Sequence, residues 1–225
     1  MLHKNFNTAE ELIAEAARAL AEEMSAVSAR PRAVILSGGS TPMPVYEQLA
    51  RLRPPIAPQV YFLHGDERMV PIESDESNYG NTRGFMEACG ILQTRFFRME
   101  TEFAPEVSAA RFDAVLRGFL ESGGLPSLAL LGLGDDGHTL SFFRKEDIGR
   151  EESRLSIAVE KTPGNFRVTI TPPFLRKSGR ILMLVTGEKK RDIARAFLKN
   201  PEDFPAGVVT RGTNLELWTA CGNLE

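Results

Sequence analysis

Cysteine is scarce in this chain. Its 225 residues hold two, Cys89 and Cys221, far apart in the sequence. That excludes a disulfide framework and points to reduced thiols and a cytoplasmic protein. No apolar run approaches the ~20 residues that a membrane-spanning helix needs, and the opening MLHKNFNTAEEL has no apolar signal-peptide core. Neither sign of charge dominates. A net charge of −3 offers no general attraction to nucleic acid or to anionic membranes, so an anionic ligand must be held by a local cluster of cations. There is no G-x-S-x-G nucleophile elbow, which argues against a covalent acyl-enzyme. A Gly-Lys-Ser/Thr phosphate loop is absent, and His64, Asp66, Glu67 and His138 match no standard metal-ligand spacing, so no metal is expected. Internal repeats and low-complexity segments are missing too.

What is present is a globular composition, 42% hydrophobic and 25% charged, on a length that fits one large α/β domain or two small ones; the expectation adopted is a single α/β domain over residues 1–225. The most informative stretch is 127–143, SLALLGLGDDGHTLSFF. Leu128–Leu131 is an apolar run of strand length. The glycines after it permit close backbone approaches, and Asp136 and His138 stand where the strand exits. An imidazole with a carboxylate beside it is the equipment of acid–base chemistry. Residues 132–137 also spell G-x-G-x-x-G, but His138 and Thr139 follow at once, where a dinucleotide-binding helix turns apolar.

The rest of the chain repeats strand, polar loop, helix. Thr8 and Glu11 form a capping box before an amphipathic helix over 8–29, with Leu12, Ala16, Leu20, Met24 and Val27 on its stripe. Arg32–Leu36 reads as a strand. The small residues Ser37, Gly38, Gly39, Ser40 and Thr41 follow it, then a helix to about Leu52; backbone amides at such a helix start suit phosphate. A strand at Val60–Leu63 exits into Asp66, Glu67 and Arg68, where the arginine fork fits a phosphate or carboxylate. Helices are expected near 82–89 and over Pro105–Leu120. Residues 144–154 read as a charged loop or short helix, Leu155–Val159 and Arg167–Thr171 as strands about a turn, and Ile181–Val185 as a buried strand. A helix follows from about Thr186 to Lys199, opening with Lys190, and a last strand spans Asn214–Trp218. The polar loops after residues 36, 63, 131 and 185 converge if the sheet is parallel, because open α/β sheets bind ligands at the carboxyl ends of their strands.

The blocks Ser37–Pro42, Gly65–Pro71, Ser77–Tyr79, Gly132–Thr139, Arg167–Thr171 and Thr186–Lys190, with the late Trp218, together resemble the glucosamine-6-phosphate isomerase/6-phosphogluconolactonase family, on its lactonase side. The resemblance implies a doubly wound α/β fold, a mostly parallel sheet with helices on both faces. It implies hydrolysis of a phosphorylated sugar lactone, 6-phospho-D-glucono-1,5-lactone, in the oxidative pentose phosphate pathway, without metal or organic cofactor. Its partner is that small molecule, with no nucleic acid and no membrane, in a monomer or small homo-oligomer. By the match His138 is the catalytic base and Asp136 its neighbour. Ser37, Gly38, Gly39, Ser40, Thr41, Asp66, Arg68, Gly137, Arg167 and Lys190 surround the substrate and its phosphate. The related deaminases carry a glutamate where this chain has Phe143 and a tyrosine where it has Arg68; both favour the lactonase over the deaminase, and a non-catalytic sugar-phosphate sensor is the remaining rival. Asp135 stands where the family often has proline, Leu140 where it has alanine and Arg144 where it has proline.

Overall fold

The strand expected at Arg32–Leu36 forms over those residues. Its side chains go alternately to two cores, Ala33 and Ile35 to one and Val34 and Leu36 to the other, as the two-residue period of a strand dictates. The same split divides Ala129 and Leu131 from Leu128 and Leu130, and Met183 and Val185 from Leu182 and Leu184. A strand buried on both faces has no polar side, which is why these segments read as unbroken apolar runs.

The computed structural model describes residues 1–149 and 153–224. Its strands, in chain order, are β1 (Leu2–Asn5), β2 (Arg32–Leu36), β3 (Val60–His64), β4 (Asp66–Arg68), β5 (Phe96–Phe97), β6 (Leu125–Gly132), β7 (Ser156–Thr162), β8 (Asn165–Ile170), β9 (Arg180–Thr186) and β10 (Leu215–Ala220). A seven-stranded sheet has the order β1-β10-β9-β6-β2-β3-β5, and its pairings are all parallel. Helices α1 (Ala9–Ser25), α2 (Met43–Leu52) and α3 (Asn78–Ala88) cover one face. Helices α4 (Pro105–Glu121), α5 (Pro172–Leu175), α6 (Arg191–Lys199) and α7 (Pro205–Val209) cover the other. This is the expected doubly wound arrangement. From β2 the chain moves outward through β3 to β5, then crosses back to β6 and moves the opposite way. The loops leaving β2 and β6 therefore diverge, and the crevice between them is the topological switch point.

Three departures from expectation concern helix bounds and a second sheet. Helix α1 ends at Ser25, whose hydroxyl turns back to the Ala21 carbonyl at 2.7 Å, so Val27 lies beyond the helix and is 82% exposed. Helix α3 begins at Asn78, before residue 82, because Ser77 caps it by accepting from the Gly80 N–H at 3.0 Å. The third is a second sheet, β4-β8-β7, antiparallel and three-stranded. It grows from the end of β3 through Gly65, whose N–H donates to Leu36 and whose carbonyl accepts from Ile170, both at 2.8 Å, and so stands over the carboxyl end of the large sheet. In the charged segment, Lys145–Asp147 forms a single 3-10 turn; residues 150–152 and 225 lie outside the described residues.

Candidate active site

The loop after β2 is held at its first residue. Buried Tyr46 on α2 accepts from the Ser37 N–H at 3.0 Å and donates to the Ser37 carbonyl at 2.8 Å. Gly38 lies against Asn78 so closely that a Cβ would stand 1.8 Å from Asn78 Oδ1, and Gly39 has a φ of +102°. The amides of Gly38, Gly39, Ser40 and Thr41 donate to no backbone carbonyl among the described residues. They stand ahead of the positive end of α2, a place that favours anions.

The small sheet supplies the next wall. Antiparallel pairing sets Arg68 opposite Arg167 and Asp66 opposite Thr169. Buried Asp66 accepts from Ser141 Oγ at 2.7 Å. Arg68 Nη1 donates to the Glu76 carbonyl at 2.6 Å, and Arg167 Nη2 lies 3.9 Å from the Glu76 carboxylate. Burial, and then the neighbouring Arg68 charge, push the Arg167 guanidinium below its ordinary value. Two like charges held together in a half-buried place are relieved by an anion between them. Beyond them, at the end of β7, Lys161 Nζ lies 5.0 Å above the Phe143 ring.

The loop after β6 carries the titratable pair. Its turn is closed by Gly134 N–H to the His138 carbonyl at 2.8 Å and Gly137 N–H to the Gly134 carbonyl at 3.0 Å. Asp136 Oδ1 accepts from the His138 backbone N–H at 3.2 Å and meets the ring at Nδ1. Burial pushes the Asp136 carboxyl up, but the hydrogen bonds from the His138 ring and backbone outweigh it and hold the group below its ordinary value. An ionised carboxylate only accepts, so Nδ1 carries the proton and the neutral ring keeps its lone pair on Nε2. Phe143 packs against this imidazole with ring centres 4.7 Å apart. The ring also fills the space a side chain on Gly134 would take: a Cβ there would lie 2.1 Å from His138 Nδ1 and 2.8 Å from Asp136 Oδ1. Gly134→Ala is therefore expected to displace the imidazole and lower kcat by roughly 10²-fold, the cost of misplacing a reacting group by about 1 Å, with the fold retained by circular dichroism. Unchanged kcat would show that the ring position does not matter.

Ser37–Thr41, Asp66, Arg68, His138, Arg167 and Lys190 all line one cavity of about 200 Å³. Asp136 and Gly137, also expected in the site, stand behind it. Asp136 orients the imidazole, and Gly137, at φ +78°, lets the loop pack on Phe204, where a Cβ would meet the ring at 2.3 Å. Lys190 Nζ donates to the Leu133 carbonyl at 2.7 Å and pairs with Asp135 at 2.6 Å. The cavity adds Thr139, Leu140, Phe143 and Lys161 to the expected set. Lys161 was readable only as a charge in a turn; its place depends on the β7–β8 hairpin leaning over the crevice. His64 points elsewhere. Burial, and then the Arg68 charge, push it down to about 3, so it is neutral beside Thr82 Oγ1 at 3.3 Å. Glu67 is occupied by the backbone amides of Arg68, Asn78 and Tyr79.

Residues 7–218 match the model of a family described as glucosamine-6-phosphate isomerases/6-phosphogluconolactonase. The chain is 32% identical over 197 residues to a 6-phosphogluconolactonase of Haemophilus influenzae, covering 84% of each protein. Its fold is similar to the crystal structure of a 6-phosphogluconolactonase from Thermotoga maritima, with a TM-score of 0.79, 27% identity and coverage of 97% of this chain and 98% of that one. A monomeric glucosamine-6-phosphate deaminase shares the fold at a TM-score of 0.79 and 21% identity, covering 100% of both chains.

Proposed function

Since the chain belongs to the family of glucosamine-6-phosphate isomerases and 6-phosphogluconolactonases, we propose that the cavity described above is the active site of a lactone hydrolase. The enzyme converts 6-phospho-D-glucono-1,5-lactone to 6-phosphogluconate, a step of the pentose phosphate pathway. The observation that carries this reading is an aspartate-oriented imidazole in a crevice with four cations, Arg68, Lys161, Arg167 and Lys190, and one lining carboxylate, Asp66. The cations and the free amides of residues 38–41 hold the phosphate and polarise the lactone carbonyl. His138 Nε2 takes a proton from water as its oxygen bonds to C1. The tetrahedral intermediate then collapses with cleavage of the C1–ring oxygen bond, and the imidazolium returns the proton to that oxygen. The product acid ionises on release. Donors fixed in place before the reaction stabilise the oxyanion without reorganising.

The deaminase reading is disfavoured by Phe143. Its ring packs on His138 where the deaminases, by the resemblance above, carry a glutamate. Release of ammonia from glucosamine 6-phosphate would reverse that choice. A sensor would bind without turnover. The deciding assay is hydrolysis of freshly made 6-phosphogluconolactone, corrected for spontaneous opening. Rates well above background are expected, with unphosphorylated gluconolactone much poorer. Equal rates on the two lactones would remove the phosphate from the reading. Arg68→Ala and Lys190→Ala are expected to weaken 6-phosphogluconate binding, more at low salt than at high salt, because salt screens charge attraction. A loss that does not change with salt would show that their charge is not what binds.

We take the chain to act as one unit, a cytoplasmic monomer or small homo-oligomer. Both cysteines are free thiols, and no helix among the described residues is long and apolar enough to cross a membrane.

A further inference from the structure

We infer that Asp135 is a built-in competitor for the substrate's phosphate: it pairs with Lys190 in the ligand-free site, and a phosphate that takes the ammonium displaces it. The inference rests on the reading of the cavity as a phosphorylated-lactone site.

The four cations of the cavity are not equally free. Arg68 Nη1 spends a hydrogen bond on a carbonyl, that of Glu76. Arg167 Nη2 stands 3.9 Å from the Glu76 carboxylate, beyond hydrogen-bonding distance. Lys161 rests on an aromatic face. Among the described residues, Lys190 is the one of the four in direct hydrogen-bonding contact with a carboxylate, Asp135 Oδ1 at 2.6 Å. The two partners are unlike. The Asp135 side chain is 87% exposed, whereas that of Lys190 is 24% exposed and lines the cavity. An exposed carboxylate returns to water at little cost. A phosphate dianion brought to the same ammonium gains a stronger partner than the one it displaces. The lysine is pulled close enough to hold the Asp135 carboxyl below its ordinary value.

The exchange has a structural consequence. Lys190 grips the 132–139 loop twice, at the Leu133 carbonyl and at Asp135. Phosphate arrival replaces the second grip and leaves the first, so the loop that carries Asp136 and His138 stays anchored while Asp135 swings out. Asp135 therefore raises the Kd and KM of phosphorylated ligands without touching the reacting carbon. An unphosphorylated lactone brings no anion able to displace it.

The test is titration calorimetry with 6-phosphogluconate, paired with steady-state kinetics on the fresh lactone. Asp135→Asn is expected to tighten 6-phosphogluconate binding and lower KM about two- to fivefold, the range set by an exposed ion pair, with kcat unchanged. Glu188→Gln is the control for a general field effect. It removes the same charge two residues from Lys190, from a carboxylate that pairs with Arg191. It should gain little, and equal gains in the two variants would overturn the inference. In a Lys190→Met background, Asp135→Asn should gain nothing; a gain that survives there would place its origin elsewhere. Asp135→Asn no tighter than the parent would overturn the inference alone. A parent protein that fails to bind 6-phosphogluconate would overturn the reading of the cavity, and the inference with it.

Discussion

Replacing His138 with alanine is expected to remove most turnover, a loss of about 10²–10⁴-fold in kcat, while leaving 6-phosphogluconate bound. The expectation comes from the division of labour between loops. The imidazole sits on the loop after β6, with Nδ1 committed to Asp136. Arg68 and Arg167 stand on the small sheet, and Lys190 follows β9. Deleting the ring leaves those cations in place. Asp136→Asn should cost as much as deletion if the orientation argument holds. An asparagine amide can donate to Nδ1 and so stabilise the tautomer with its proton on Nε2, where the lone pair is needed. The pH profile separates the two residues further. A base must be unprotonated, so kcat/KM falls on the acid side with the uptake of one proton. Asp136 does not supply that limb, because its carboxyl is held below its ordinary value and stays ionised across it. The residual activity of His138→Ala should lack the limb. A folded alanine variant with near-parent turnover above the spontaneous background would mean that His138 is not the base.

The parts of this molecule legible in the sequence are those whose causes are local. The strand at Arg32–Leu36 is visible because both its faces are buried and every residue after the first is apolar. The helix from Pro105 is visible because proline suits a first turn and Phe112, Leu116 and Phe119 return at helical spacing to a buried face. The convergence of four loops followed from the βα alternation alone. What escaped depends on distant partners. Strand β1 has four exposed residues and no periodicity; its pairing with β10 at the far end of the chain makes it a strand. Asp66–Arg68 reads as a charged loop, and becomes a strand only when β8, about a hundred residues on, pairs with it. Lys161 enters the site because that same sheet brings the β7–β8 hairpin over the crevice. Leu140 adopts a φ of +55°, a left-handed conformation that its identity gives no reason to expect. It is buried, and its Cδ2 comes so close to Gly65 that a Cβ there would lie 2.5 Å away.

Glu67 is the clearest case of a role hidden from the sequence, and its removal should have the largest effect on stability. It lies between two expected site residues, and in the sequence it matches no metal-ligand spacing and has no role of its own. In the structure it is 2% exposed and caps α3. Oε1 accepts from the Arg68 N–H at 2.7 Å and the Asn78 N–H at 2.8 Å, and Oε2 accepts from the Tyr79 N–H at 2.7 Å and lies 3.4 Å from Ser77 Oγ. Burial pushes the carboxyl up, and those amides pull against it. Asn78, once held, donates to the Asp66 carbonyl at 2.8 Å and packs on Gly38. One carboxylate thus sets α3, the small sheet and the loop after β2 in mutual position. Glu67→Ala leaves three amides, one buried and two partly buried, without acceptors, and a buried one costs about 1–3 kcal/mol. A loss of about 3 kcal/mol or more is expected, and for a chain of this size a fall in Tm on the order of 10 °C. Glu67→Gln keeps the shape but turns an amide donor toward backbone donors, so it should recover little. Weaker 6-phosphogluconate binding should accompany the lost stability, since Asp66, Arg68 and Gly38 all lean on the same cap. If Glu67→Ala instead melts with the parent and loses only kcat, Glu67 acts on the substrate and the capping role assigned to it is wrong.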